Sequence, residues 1–189
     1  MCGIAGYLNL NRDAASQDIV ERMSAAIAHR GPDGDGHFVE GPVALGHRRL
    51  SIIDLSTAAS QPMTSASGRY VITYNGELYN YEALRSELIA EGYRFSTRSD
   101  TEVVLAAYVM WGDRAVVRFN GMFAFAVWDR ETQRLYMARD RYGIKPLYYG
   151  VHAGVLVFGS EQKAMLAHPS VQRRPNMAGV VEYFTFQYM

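Results

Sequence analysis

The chain has 189 residues, 49% of them hydrophobic, enough for one substantial core or for a domain with a short tail. Nineteen basic residues balance nineteen acidic ones, so no global field gathers phosphates or an anionic membrane surface, and neither nucleic acid nor membrane is expected as a partner. The longest apolar stretch, residues 103–111, is about half of a membrane-spanning helix, and the first ten residues lack the basic start and long apolar core of a secretory signal, so a cytoplasmic location is expected.

In chain order, Cys2-Gly3-Ile4-Ala5-Gly6-Tyr7-Leu8 is an apolar run interrupted by glycines, which suits a short buried strand approached closely by another backbone. Ser16 is positioned to cap a helix with Ile19, Val20, Met23, Ala26 and Ile27 on one face, and Gly31-Pro32 to end it. The period then changes. Residues 38–39, 43–53 and 70–74 read as strands separated by Gly, Pro and Ser clusters. Two helices follow. The first covers about residues 81–91, with Asn80 as cap, Leu84, Leu88 and Ile89 inward and Gly92 past its end. The second opens on a capping box, Ser99-Asp100-Thr101-Glu102, and closes at Gly112. Residues 122–128, 135–138, 147–149 and 155–158 are strands again, and from about His168 the pattern loosens into a short amphipathic stretch. Strand-rich segments on both sides of a helical pair, without regular strand–helix alternation, favour α+β over a doubly wound parallel sheet.

The lone cysteine stands at position 2, where it has no partner for an internal disulfide. Aminopeptidase removal of Met1 before a small residue would leave Cys2 with a thiol and a free α-amine. A free thiol and a free α-amine titrate near ~8.5 and ~7.7–8.0, so groups of these kinds lie within reach of each other's proton. A buried, inert cysteine is the alternative. Asn75-Gly76 is a hairpin signal, yet the residues after it lead into a helix. An Asn amide and a Gly N–H at a strand end could instead donate to a developing oxyanion. Alternation puts Arg48 and Arg49 on opposite strand faces, so only one can enter a pocket. There it could clamp a carboxylate, although a strand arginine can equally be solvated. Asp100, in the first helical turn, is favoured by the helix dipole whether or not it meets a ligand.

These residues occur together in a recognisable order. Cys2-Gly3-Ile4-Ala5-Gly6, His29-Arg30-Gly31-Pro32-Asp33, His47-Arg48-Arg49-Leu50-Ser51-Ile52, Tyr74-Asn75-Gly76-Glu77, Ser99-Asp100-Thr101-Glu102, Asn120-Gly121-Met122-Phe123-Ala124-Phe125 and the run from Arg139-Asp140-Arg141-Tyr142-Gly143 through Ile144-Lys145-Pro146-Leu147-Tyr148-Tyr149 resemble the glutaminase half of asparagine synthetases, a class II glutamine amidotransferase. The resemblance implies an N-terminal-nucleophile hydrolase fold, a four-layer α/β/β/α sandwich of two antiparallel sheets between helices. It implies Cys2 as nucleophile, Asn75 and Gly76 as oxyanion hole, Arg49 for the glutamine carboxylate and Asp100 for its α-ammonium. Leu50, Ser51, Ile52, Ile53 and Glu77 would line the same pocket, with Arg30 in a supporting role. The run 139–149 is expected to be structural or to face a partner domain.

The implied reaction is hydrolysis of L-glutamine to glutamate and ammonia through a Cys2 thioester. It needs no metal or organic cofactor in this domain; ATP and Mg are expected only in a synthetase domain. The glutaminase unit is expected over residues 1–166, with 167–189 a tail leading toward that synthetase domain, whose serine-glycine-glycine loop this chain lacks. The expected partners are L-glutamine and a synthetase domain of the same or a partner chain, with a homodimer left open. Another class II amidotransferase, or a scaffold without activity, is the alternative reading; the joint presence of Cys2, Arg49, Asn75, Gly76 and Asp100 argues against the scaffold.

Overall fold

The computed structural model describes residues 1–50 and 60–187. The first strand, β1 (Gly3–Asn9), pairs antiparallel with β3 (Val43–Arg49) on one side and β9 (Val155–Gly159) on the other. With β2 (Gly34–Glu40) and β8 (Tyr148–His152) at its edges, this makes a five-stranded sheet in the order β2-β3-β1-β9-β8. The second sheet is β4 (Met63–Thr64), β5 (Tyr70–Leu78), β6 (Gly121–Asp129) and β7 (Arg134–Arg139), adjacent in that order. All strand pairs in both sheets are antiparallel.

Period-2 alternation assigns each strand face to a layer. Ile4, Val43, Leu45, Val71, Ala124, Ala126, Trp128 and Phe158 pack together between the sheets. The residues next to them in sequence, Ala5, Tyr7, Ala44 and Val157, face outward. They meet Val20, Met23 and Ile27 from helix α1 (Gln17–Ala25) and the turn after it, with Ala164 and Met165 from α4 (Gln162–Leu166). On the opposite side, Ile72, Tyr74, Phe123, Phe125 and Val127 meet α2 (Tyr81–Ala90) and α3 (Asp100–Trp111). Helix, sheet, sheet, helix is the α+β sandwich of the N-terminal-nucleophile hydrolases, as expected.

Several boundaries differ from the sequence reading. The helix from Ser16 ends at Ala25, and Ala28–Arg30 form a separate 3₁₀ turn; the tightening aims Arg30 at the start of β1. Ser16 flanks α1 without a side-chain cap, its backbone being engaged instead with the Tyr7 hydroxyl. β5 does not stop at Tyr74: its register with β6 continues from Tyr70↔Asp129 to Leu78↔Gly121, so Asn75-Gly76 lies within a strand. In α2, Leu84 and Leu88 are buried, but Ile89 is 53% exposed, because the inward stripe is one residue wide per turn. The Asn80 side chain does not cap α2; it bonds to Arg118 O and Asn120 N–H.

The capping box of α3 is half reciprocal. Ser99 Oγ accepts from Glu102 N–H at 3.3 Å, while the Glu102 carboxylate accepts from Ser96 N–H, Thr97 N–H and Thr97 Oγ1–H at 2.6–2.8 Å. Gly112, at φ +61°, closes the helix in a conformation that side chains disfavour. The short strand β4 and helix α4 were not anticipated from sequence. Residues 51–53 of the expected strand 43–53 lie outside the described residues. The amphipathic stretch near the end forms α5 (Met177–Phe186), whose large apolar side chains Met177, Val181, Tyr183, Phe184 and Phe186 are mostly exposed.

Candidate active site

The start of β1 is anchored on both sides. Ile4 N–H donates to Ser160 Oγ at 3.0 Å, and Ser160 N–H to Ile4 O at 2.8 Å. Arg30 Nε donates to Cys2 O at 2.9 Å, and its Nη1 donates to Glu161 Oε1 at 3.0 Å. Burial acts to raise the Glu161 pKa, but hydrogen bonds from Lys163, Arg30 and His29 prevail and hold it down to about 2. Arg30 thus ties the backbone of Cys2 to Glu161.

Anchored in this way, Cys2 opens onto a cavity of about 300 Å³ at the end of the sandwich. Leu50 N–H donates to the Cys2 sulfur at 3.4 Å, and the thiol reaches Leu50 O at 3.5 Å. The same wall carries His47 and Arg49 from β3, Tyr74, Asn75, Gly76 and Glu77 from β5, and Ser99, Asp100 and Thr101 from the start of α3. Strand alternation separates the two arginines as the sequence suggests. Arg49 lines the cavity, whereas Arg48 lies on the other face, donating to Ser24 O of α1 at 3.2 Å and meeting Asp35 at 3.4 Å.

Asn75 is buried, and among the described residues its Nδ2 has no hydrogen-bond partner. An orphaned buried donor is costly unless something in the cavity accepts from it. Gly76 must be a glycine, since a Cβ there would stand 2.6 Å from the Tyr74 ring and 2.7 Å from Met122 O. Asp100 is fixed from one side, its Oδ2 accepting from Tyr74 Oη–H at 2.9 Å and Leu78 N–H at 3.0 Å. Burial raises its pKa, with these hydrogen bonds opposing, and a cation in the cavity would favour the charged form. Burial likewise pushes His47 down to about 4, so its imidazole is neutral and Nε2–H donates to Tyr74 O at 3.1 Å.

The remaining expected residues, Ser51, Ile52 and Ile53, lie outside the described residues. Sequence reasoning missed others. Gln61 ties β5 to α3, accepting from Tyr74 N–H at 2.6 Å and donating to Thr101 Oγ1 at 3.2 Å; nothing local marks it. His47, Ile144 and Lys145 stood within quoted motifs, but residues 139–149 were expected to be structural or partner-facing. Ile144 and Lys145 in fact line the cavity. Among the described residues its wall carries the cationic side chains of Arg49 and Lys145 and the carboxylates of Glu77 and Asp100, a distribution complementary to a zwitterion. Among the described residues, no group of three or more His, Cys, Asp or Glu is placed to hold a metal ion.

The deciding observation is a match over residues 1–189 to the family described as "Glutamine amidotransferase domain". This chain belongs to that family. The glutamine amidotransferase domain is 43% identical to asparagine synthetase (glutamine-hydrolysing) 3 of Bacillus subtilis, over 97% of the chain and 30% of that protein. It is 42% identical to amidase chry2 of Gibberella zeae, over 88% of the chain and 26% of that protein. The chain thus spans less than a third of these curated relatives' lengths. Among solved structures, the domain resembles the glutamine phosphoribosylpyrophosphate amidotransferase of B. subtilis, with a TM-score of 0.75 at 23% identity, over 88% of the chain and 43% of that structure. No described helix of the domain is long and apolar enough to cross a membrane.

Proposed function

We propose that this domain hydrolyses L-glutamine to L-glutamate and ammonia through a thioester on Cys2, and that the ammonia passes to a synthetase domain of the same or a partner chain. The observation that carries this reading is the meeting of Cys2, Arg49, Asn75, Gly76 and Asp100 around one cavity, from segments spread over a hundred residues of sequence. Curated relatives named as glutamine-hydrolysing asparagine synthetases support it.

With Met1 removed, the free α-amine of Cys2 takes the thiol proton, and the sulfur attacks the side-chain amide carbon of glutamine. Negative charge moves to the amide oxygen, facing the orphaned Asn75 Nδ2–H and Gly76 N–H. As the intermediate collapses, the C–N bond breaks and the amine's proton goes to the departing nitrogen, releasing ammonia. Water, deprotonated by the same amine, then attacks the thioester; glutamate leaves and the thiol is restored. Arg49 holds the substrate carboxylate and Asp100 its ammonium, so that the amide rather than the amino-acid end meets the sulfur. The domain works without a metal or organic cofactor, in the cytoplasm; ATP and Mg belong to the synthetase part, which amidates aspartate or another acid. The glutaminase unit comprises residues 1–166.

Purified protein should release glutamate and ammonia in equal amounts from glutamine. Cys2→Ala should release neither while unfolding at an unchanged temperature, because a methyl in place of the thiol removes the nucleophile and little packing. Continued glutamate release by a folded Cys2→Ala protein would remove Cys2 from the mechanism.

A further inference from the structure

Lys145 belongs to the loop after β7, and its backbone is held from both directions. Its N–H donates to Asp140 Oδ2 at 2.9 Å, and its carbonyl accepts from Arg139 Nε at 2.8 Å. Asp140 also accepts from the N–H groups of Phe123, Tyr142 and Ile144, so its carboxylate is spent on backbone donors and does not reach the lysine ammonium. Lys145 is only 5% exposed and lines the cavity. Among the described residues, the only polar partner of its Nζ is the Met1 thioether sulfur at 3.5 Å. A buried ammonium is ordinarily paired with a carboxylate or with several oxygens. Here its one acceptor is weak and belongs to the residue whose removal would create the active terminus.

We propose that Lys145 sets the protonation of the Cys2 amine–thiol pair, its ammonium favouring the neutral amine and the thiolate; this rests on the glutaminase reading above. The Met1 sulfur is five bonds from Cys2 N, which puts Lys145 Nζ within about 10 Å of that nitrogen. Among the described residues, the other charged or titratable groups near the pair are Arg30, paired with Glu161, His47 and Arg49 from β3, Tyr74 and Glu77 from β5, and Asp100 from α3. His47 and Tyr74 are neutral at working pH. Both profiles below report the free enzyme, in which these groups are the same in wild type and in the Lys145 variants, so a difference between their profiles follows the charge at position 145. A like charge near the amine disfavours its protonation, and an opposite charge near the thiol favours the thiolate. Lys145 acts through Cys2 and is a positioning residue.

The test compares the full chain with Lys145→Met, Lys145→Gln and Lys145→Arg. Two pH profiles are recorded for each: kcat/KM for glutamine, and the rate of Cys2 alkylation by iodoacetamide. The neutral replacements should move the acid limb of both profiles upward by about half a unit to one unit, and Lys145→Arg should keep the original position. Superimposable profiles for the neutral variants overturn the proposal. So does a shift in Lys145→Arg as large as in Lys145→Met, which would mean shape rather than charge matters. Neutral variants that lose the near-UV circular dichroism of a folded core would mark Lys145 as a packing residue and overturn it as well. The alkylation profile needs no turnover: a wild-type chain that releases no glutamate counts against the proposed function, while its alkylation profiles still decide the role of Lys145.

Discussion

Arg48 and Arg49 are adjacent in sequence and face opposite layers, so they provide an internal control on site geometry. Arg49→Ala should lower kcat/KM for glutamine by an amount equivalent to about 2–5 kcal/mol, the cost of removing one partner of a desolvated charge pair. Arg48→Ala, which loses contacts to Ser24 O and Asp35 on the far face, should leave kcat/KM within a few-fold of wild type. Steady-state kinetics on the pair would expose a misplaced register if Arg48→Ala were the damaging change. Gly76 gives a second prediction. A methyl there collides with the Tyr74 ring and Met122 O, and Tyr74 is the group that orients Asp100. Gly76→Ala should therefore impair both turnover and stability, the latter by about 1–3 kcal/mol of overpacking, read from kcat and from urea unfolding of one preparation. At this scale the sequence was informative wherever a residue's chemistry is unusual, as for Cys2 and Asn75. It was silent on Gln61, whose role comes from bridging β5 and α3.

At the level of elements, β3 and β5 belong to different sheets but are joined across the sandwich by His47 Nε2–H to Tyr74 O and by Thr73 Oγ1–H to Gly46 O at 3.1 Å. These links hold the strand carrying Asn75 against the strand carrying Arg49. They have a pH signature. An unfolded histidine protonates near 6.5, and the buried one only near 4. Between these values the unfolded chain binds more protons, so stability falls as pH drops from 6.5 toward 4, by about 3 kcal/mol over the full window. Urea unfolding at pH 7, 6 and 5 should show this slope, and His47→Gln, which still offers a donor to Tyr74 O, should remove that part of it. An unchanged slope in the variant would assign the pH dependence to other groups. The starts of α1, α2 and α3 were readable to within a residue, but of the three expected caps only Ser99 bonds as one, to Glu102 N–H three residues on. The extent of β5 was not readable, because Asn75-Gly76 is a turn signal by local propensity and β6 overrides it with cross-strand pairing over residues 70–78.

In the whole molecule, the two sheets and their flanking helices form one packed unit, which Val171 closes by joining the cluster around α1. Beyond it, α5 shows mostly exposed apolar side chains, with only Gly179 buried. Little of the core depends on it. Deleting residues 172–189 should therefore change the unfolding temperature by no more than about 2 °C, equivalent to about 0.5–1 kcal/mol for a domain of this size. A larger drop in a calorimetric scan would show that α5 contributes to the packed unit.

The sequence by itself determined the chemistry-bearing set: a cysteine at position 2, an Asn-Gly pair, an arginine on a strand and an aspartate at a helix start. It also determined the alternation that sends Arg49 and Arg48 to different faces, because periodicity is a property of the local chain. Tertiary structure decided which distant segments share the cavity. It brought Lys145 and Ile144 in from a run expected to be structural or to face a partner domain, recruited Gln61, placed Asn75-Gly76 within a paired strand and turned Ile89 outward. Each of these depends on contacts between segments far apart in sequence. Hydrophobic pattern records that a face will be buried, but not against what, and it is the opposing surface that makes a wall residue part of a site.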